Sequence, residues 1–344
     1  MTSAVLFDRP GPPDVLRWRP VDPVRPGPGE VVIRVAAAGV NNADLMQRRG
    51  RYPVPARAPR PLGLECSGTI TDLGADVTAW SVGDRVCALL DGGGYADEVA
   101  VPATQVMRIP AGLSDIEAAA VPEVAATVYS NLAMVARLTA GRTVLIHGAG
   151  GGIGTFAIQW ASAIGARVIT TAGSPTKTRA GLEMGADVAI DYRSEDFVAA
   201  TLAATGGRGV DAILDVVGAD YLARNVECLA PDGHLAIIGG DTAPAPLDLG
   251  LLMSKRASVT ATMLRARPAH QKAEIIAGVT RDVLPLFDSG AVRVVVDTIV
   301  PIAQAARAHE LMESGRTVGK VILDNRHRTD TQAVRVSGAG TSVE

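Results

Sequence analysis

Cysteine and aromatic rings are scarce in this chain, and it has no long apolar run and no surplus of charge of one sign. The cysteines are Cys66, Cys87 and Cys228, three in number, far apart and without a CxxC spacing. A structural zinc site and a disulfide framework are therefore not expected, and a reducing, cytoplasmic setting is. Lys and Arg number 33 against 36 Asp and Glu, for a net charge of -3. With no basic excess, neither nucleic acid nor an anionic membrane is an expected partner. No run of about 18 apolar residues is present to span a bilayer. The opening MTSAVLFDRPGPP lacks the charged start and apolar stretch of a signal peptide. Phe, Trp and Tyr together make up 3%, so Ala, Val and Gly must fill the core. What remains is a globular chain of 344 residues, 47% apolar and 20% charged, long enough for two domains.

Residues 1–120 read as β-rich. Glu30–Ala37 alternates, with Val31, Ile33 and Val35 on one face, and short strands are expected at 68–73, 85–90 and 95–101 between Gly and Pro clusters. This suits a small barrel. Ser114 and Glu117 have capping-box spacing ahead of an Ala-rich helical stretch interrupted by Pro122. From Thr143 apolar strands alternate with helices. The strands expected are 143–147, 167–171, 188–190, 210–216, 234–238 and 258–263, the pattern of a parallel sheet covered on both faces. A helix at 271–288, a strand at 292–300, a helix at 302–314 and a strand at 320–323 should follow. The small, polar tail from 326 to 344 reads as disordered.

The strongest local signal is Thr143-Val-Leu-Ile-His147-Gly-Ala149-Gly-Gly151-Gly152-Ile153-Gly154, a buried strand running through glycines into an apolar helix. Residues without a Cβ allow the tight turn and the close approach of a pyrophosphate, and the helix start offers free N–H groups. The spacing is Ala149-x-Gly151-x-x-Gly154, with Ala in the first glycine position, so the motif alone is only moderately specific. The second strand ends in Ala172-Gly173-Ser174-Pro175, with no carboxylate to receive ribose hydroxyls, and Lys177 and Arg179 follow. Ser174 and Lys177 can donate to a 2′-phosphate, so the expected cofactor is NADPH and not NADH.

HGAGGGIGTFAIQWASAIGA resembles the fingerprint of zeta-crystallin-like quinone oxidoreductases in the medium-chain dehydrogenase/reductase superfamily. AAAGVNNADLMQRRGRYPVP, PLGLECSGTI, VGDRVCAL, GGYADEVAVP, TAGSPTK, MGADVAIDY and Gly319-Lys-Val-Ile-Leu323 match in the same order, from about residue 3 to 324. LLMSKRASVTATMLRAR resembles the tumour-suppressor-inducible branch. The resemblance implies an α/β protein, with a GroES-like catalytic domain (1–121 and 266–325) around a doubly wound Rossmann domain (122–265). It also implies a homodimer and a small quinone or enone substrate. Where zinc relatives carry Cys and then Gly-His-Glu, this chain has Asn41-Asn42 and Gly63-Leu64-Glu65, so no metal site is expected.

The same resemblance places Tyr52 near the nicotinamide. Asn41 is expected either to donate to the carboxamide or acceptor oxygen, or to cap the following helix. An enone would take its α-carbon proton from Tyr or water. Tyr192 should flank the adenosine phosphate, and Gly239 and Gly240 should admit the nicotinamide half. Met263 and Leu264 should lie near the ring. Lys320 either reaches the phosphates or is a surface lysine. Asp44 and Glu65 read as structural and His147 as a core histidine, while Arg265 and Arg267 read as charges on a strand edge. An enoyl-thioester or alkenal reductase, and a non-catalytic NADPH-binding redox sensor, are the competing readings.

Overall fold

A strand such as Thr143–His147 has no polar face, so it must be covered on both sides. In the computed structural model, which describes residues 2–56, 58–240 and 242–326, it lies inside a sheet of six strands. They are β1 (Thr143–His147), β2 (Arg167–Ala172), β3 (Val188–Asp191), β4 (Val210–Asp215), β5 (Leu229–Ile237) and β6 (Ser258–Ala261). Every pairing is parallel, in the order β3-β2-β1-β4-β5-β6. The order reverses between β1 and β4. Ligands of doubly wound sheets bind in the crevice at the carboxyl ends of the strands beside such a reversal. The glycine-rich turn leaves β1 there.

The second sheet is mixed. Glu30–Gly39 lies at its centre, antiparallel to Glu65–Leu73, Glu98–Pro102 and Lys320–Asp324. Val296–Pro301 joins in parallel outside Lys320–Asp324. The chain thus returns to this sheet after completing the parallel one.

Several expectations need correction. β6 stops at Ala261, so Thr262–Leu264 lie beyond the strand. The helix expected at 271–288 is two, Ala269–Asp282 and Leu284–Asp288, because Pro285 has no N–H to continue the ladder. The strand expected at 292–300 begins only at Val296. A hairpin of Thr2–Leu6 and Arg17–Val21 was not foreseen. Asp115–Val135 is long and apolar enough in mean composition to cross a bilayer, but polar residues interrupt it and most of it is buried inside the fold. The expected tail lies outside the described residues beyond Arg326.

Candidate functional site

The glycine elbow is built by steric necessity. Gly148 has φ 84°, and its amide and that of Ala149 both donate to the Thr171 carbonyl, at 3.0 and 2.9 Å. A Cβ on Gly154 would lie 2.0 Å from the Gly148 carbonyl oxygen. The helix that follows, Gly152–Ala163, begins at Gly151 with no side-chain cap. Its first-turn amides, at Gly152, Ile153 and Gly154, have no partner within the helix. This cradle fits an oxygen anion, such as a dinucleotide's pyrophosphate.

At the carboxyl end of β2, Gly173, Ser174, Lys177 and Tyr192 lie close together. Tyr192, 44% exposed, sets its hydroxyl where a Cβ on Gly173 would be, 2.3 Å away. Ser174 caps the helix Pro175–Glu183, its hydroxyl accepting from the Lys177 amide at 3.4 Å. The Lys177 stem passes over Gly150, and its ammonium donates to the Gly315 carbonyl at 2.7 Å. Arg179 points to solvent. On the other side of the switch point, Gly239 and Gly240 are exposed. Met263 is exposed as well, while Leu264 is buried.

The seam between the two sheets is narrow. The Gly319 amide donates to the Gly150 carbonyl at 2.9 Å, and the Lys320 stem lies where a Gly152 Cβ would be. The cavity between Gly152–Phe156 and Arg293–Val295 is about 10 Å³, room for no more than one water.

Asn41 sits at the N-cap of the helix Asn42–Arg48, one of the two roles expected for it, while Lys320 fits neither of its expected surroundings. Lys320 is no surface lysine, at 5% exposure. Its ammonium donates to Glu65 Oε1 at 2.5 Å and Asn41 Oδ1 at 2.7 Å, so it does not point at a phosphate. The Asn41 amide donates one of its two N–H groups to Glu65 Oε1 at 2.9 Å. Glu65 is fully buried, and its second oxygen accepts from the Glu123 amide at 2.9 Å. Asp44 accepts from the Asn41 and Gly63 amides and the Tyr95 hydroxyl. Burial pushes it up to about 6 against those donors. His147 is a satisfied core residue, within 2.9 Å of Thr171 Oγ1 and 2.8 Å of Asn225 Oδ1, and burial lowers it to about 4.

Two residues escaped the sequence reading. Arg265, expected on a strand edge, is 3% exposed and reaches into the cleft. Its Nε donates to the Asp91 carbonyl at 2.8 Å and its Nη1 to Gln47 Oε1 at 2.6 Å. Tyr52 lies against it, with the guanidinium carbon 5.7 Å from the ring centroid, and loss of water pushes the phenol up to about 12. Glu123 is the other, at the first turn of Pro122–Val128. Loss of water, then the Glu65 charge, pushes it up to about 8, with Asp44 adding to the rise and Lys320 and Lys272 opposing it. An acidic residue after a proline reads as an ordinary helix start, so only the fold reveals the company it keeps.

Glu123 is thus protonated at neutral pH. Its folded pKa exceeds the ordinary 4.5, so its contribution to stability is complete below that value and is lost as pH rises through about 8. Thermal melts from about pH 5 to about pH 9 should show the parent losing stability progressively from about pH 5 to about pH 8 and levelling off above that. Glu123→Gln should flatten that slope, and equal slopes would count against the shift.

Two segments of the chain match known family patterns. Residues 27–111 match "Alcohol dehydrogenase GroES-like domain", and residues 184–323 match "Zinc-binding dehydrogenase". A quinone oxidoreductase of Pseudomonas aeruginosa is 34% identical, over 94% of this chain and 99% of that one. The chain belongs to the quinone oxidoreductases of the medium-chain dehydrogenase/reductase superfamily. A 2-haloacrylate reductase of a Burkholderia species is 31% identical, again over 94% and 99%. The crystal structure of Escherichia coli quinone oxidoreductase complexed with NADPH superposes with TM-score 0.83 at 32% identity, covering 94% of this chain and 99% of that one. The fold is that of an α/β medium-chain reductase, and the chain is an oxidoreductase that works with a nicotinamide cofactor on a small molecule.

Proposed function

We propose that this chain reduces quinones or other conjugated carbonyl acceptors with NADPH and without zinc. The reading rests on one observation above all: an uncapped glycine elbow at the sheet's switch point, with Gly173, Ser174, Lys177 and Tyr192 gathered beside it and no carboxylate at the end of β2. Ala149, Gly151, Gly152, Ile153 and Gly154 would seat the pyrophosphate through backbone amides. Ser174 and Lys177 would hold the 2′-phosphate, with Tyr192 alongside. Gly239, Gly240, Met263 and Leu264 would line the nicotinamide half. When bound, the nicotinamide supplies a hydride, two electrons with one proton, to the acceptor. The second proton reaches the reduced acceptor from water or a side chain. Tyr52 and the protonated Glu123 are the acids the cleft offers.

Zinc independence is supported by the chemistry of the donors. Glu65, the one carboxylate at the place of the zinc triplet, already accepts from an ammonium, a carboxamide and a backbone amide. Cys66 beside it is pushed well above its ordinary range by burial, away from the thiolate a metal requires. We assign residues 1–121 and 266–325 to the catalytic domain and 122–265 to the cofactor domain. A homodimer fits β6 as an open edge beside the exposed Leu249 and Met253. A cytoplasmic setting fits three buried, unpaired cysteines.

The named substrate of the Burkholderia relative favours a second reading, reduction of an activated carbon–carbon double bond. Turnover on a small quinone against an enone or enoyl thioester separates the two. For the cofactor, Lys177→Ala should weaken NADPH binding by about 10- to 100-fold, as loss of a charge-assisted hydrogen bond does, and leave NADH binding unchanged. Fluorescence titration measures both, and equal affinity of the parent for the two cofactors overturns the 2′-phosphate argument.

A further inference from the structure

The helix Asn42–Arg48 runs out into Arg48-Arg49-Gly50-Arg51. Gly50 turns the chain at φ 71°, and the Arg51 amide donates back to the Met46 carbonyl at 2.8 Å, which sets three arginines around one helix end. Against that end lies Pro10-Gly11-Pro12-Pro13. The Gly11 amide donates to the Arg48 carbonyl at 3.1 Å, and Arg48 Nε donates to the Gly11 carbonyl at 3.0 Å. A proline-rich wall tied at two points has little freedom left to lose when something binds beside it. Between loop and helix end runs a groove of about 520 Å³, the size of a small-ligand site.

The groove carries unbalanced charge. Arg48, Arg49 and Arg51 line it, and Glu313 is the one carboxylate among the lining residues, which leaves a surplus of two positive charges. Glu313 accepts from Arg48 and, at 2.9 Å, pairs with Arg49. Behind them His309 lies 3.3 Å from Arg48 Nη1, and burial, then the charges of Arg48 and Arg49, lowers it to about 3, so it steadies Arg48 as a neutral ring. Arg51 is exposed, and its guanidinium has no partner among the described residues. A helix dipole, worth about half a charge at its end, does not account for three cations.

We propose that this groove binds a ligand through a phosphate group bearing two or more negative charges. Arg49 and Arg51 are its contacts, since the guanidinium fork suits phosphate oxygens and both side chains reach solvent. Arg48, buried and already bonded to Gly11, His309 and Glu313, acts as a fixed charge beneath them. The inference goes beyond the oxidoreductase reading and does not depend on it, because no residue of the groove belongs to the elbow.

The test is calorimetry on the full chain with excess NADP⁺, which occupies the elbow. Pyrophosphate should bind at least about tenfold tighter than acetate, which brings a single charge. The double variant Arg49→Gln with Arg51→Gln should weaken pyrophosphate at least about tenfold. Arg25→Gln should change nothing, since Arg25 is exposed beyond Val21, at the end of the hairpin away from the loop Pro10–Pro13. Vesicles of phosphatidylcholine with phosphatidic acid form the second arm: pyrophosphate binding assigns the phosphate to a free molecule, and sedimentation with the vesicles alone, lost in the double variant, assigns it to a lipid headgroup. The proposal is overturned if the parent binds neither pyrophosphate nor the vesicles, if acetate binds as tightly as pyrophosphate, or if the double variant binds like the parent.

Discussion

Gly154→Ala should abolish measurable dinucleotide binding, with a loss of at least about 100-fold in affinity and about 1–3 kcal/mol in stability. The added methyl would meet the Gly148 carbonyl oxygen at 2.0 Å, its carbon at 2.8 Å and the Ala149 Cα at 3.1 Å. All three are backbone atoms of the elbow itself, so relief means moving the turn whose amides are proposed to seat the phosphates. Gly151→Ala is the control. Its Cβ would have one neighbour, 3.7 Å away, and its φ of -80° suits any residue. Thermal melts and cofactor titrations on both variants check the pair. A Gly154→Ala protein that binds NADPH like the parent would falsify the elbow as the cofactor seat.

Lys320→Ala should cost about 3–5 kcal/mol, because it strands a buried carboxylate. Glu65 is fully buried and would keep only the Asn41 amide and the Glu123 backbone amide as donors. The loss should appear as a melting temperature lower by about 10 °C. Removing both charges, in Glu65→Gln with Lys320→Met, should recover much of it, since replacing a whole buried pair is far less costly than breaking one. If the double variant is no better than the single one, the two side chains do not act as a pair.

The frame of this fold was legible because its signals are local. Most of the six parallel strands are short apolar runs, and the order of runs and helices implied a parallel sheet covered on both faces. The elbow was legible for the same reason, since its glycines adjoin one another in sequence. The grouping of Gly173, Ser174, Lys177 and Tyr192 followed from strand ends that lie side by side. What was not legible is long-range. Lys320 meets Glu65 across 255 residues, and no pattern near either announces the other. Arg265 follows a strand that ends two residues earlier than its apolar run suggested, and in the extra turn its side chain swings inward to the other domain. A charge after a strand usually faces water, so the ordinary expectation failed where the site is unusual. Pro285 was visible, but its consequence depends on whether packing supports a kinked helix or a broken one.

The contact between Gly319 and the elbow sets a condition on loading. The Gly319 amide is bonded to the Gly150 carbonyl, and the Lys320 stem rests on the first turn of the helix that should meet the phosphates. A dinucleotide seated at the elbow as proposed would have to displace this contact, and the energy of displacing it would be subtracted from its intrinsic affinity in proportion to how rarely the displaced form is visited. Linkage would make the relation reciprocal: whatever weakens the 319–320 strap would raise the occupancy of a cofactor so seated, and that cofactor would in turn favour the displaced strap.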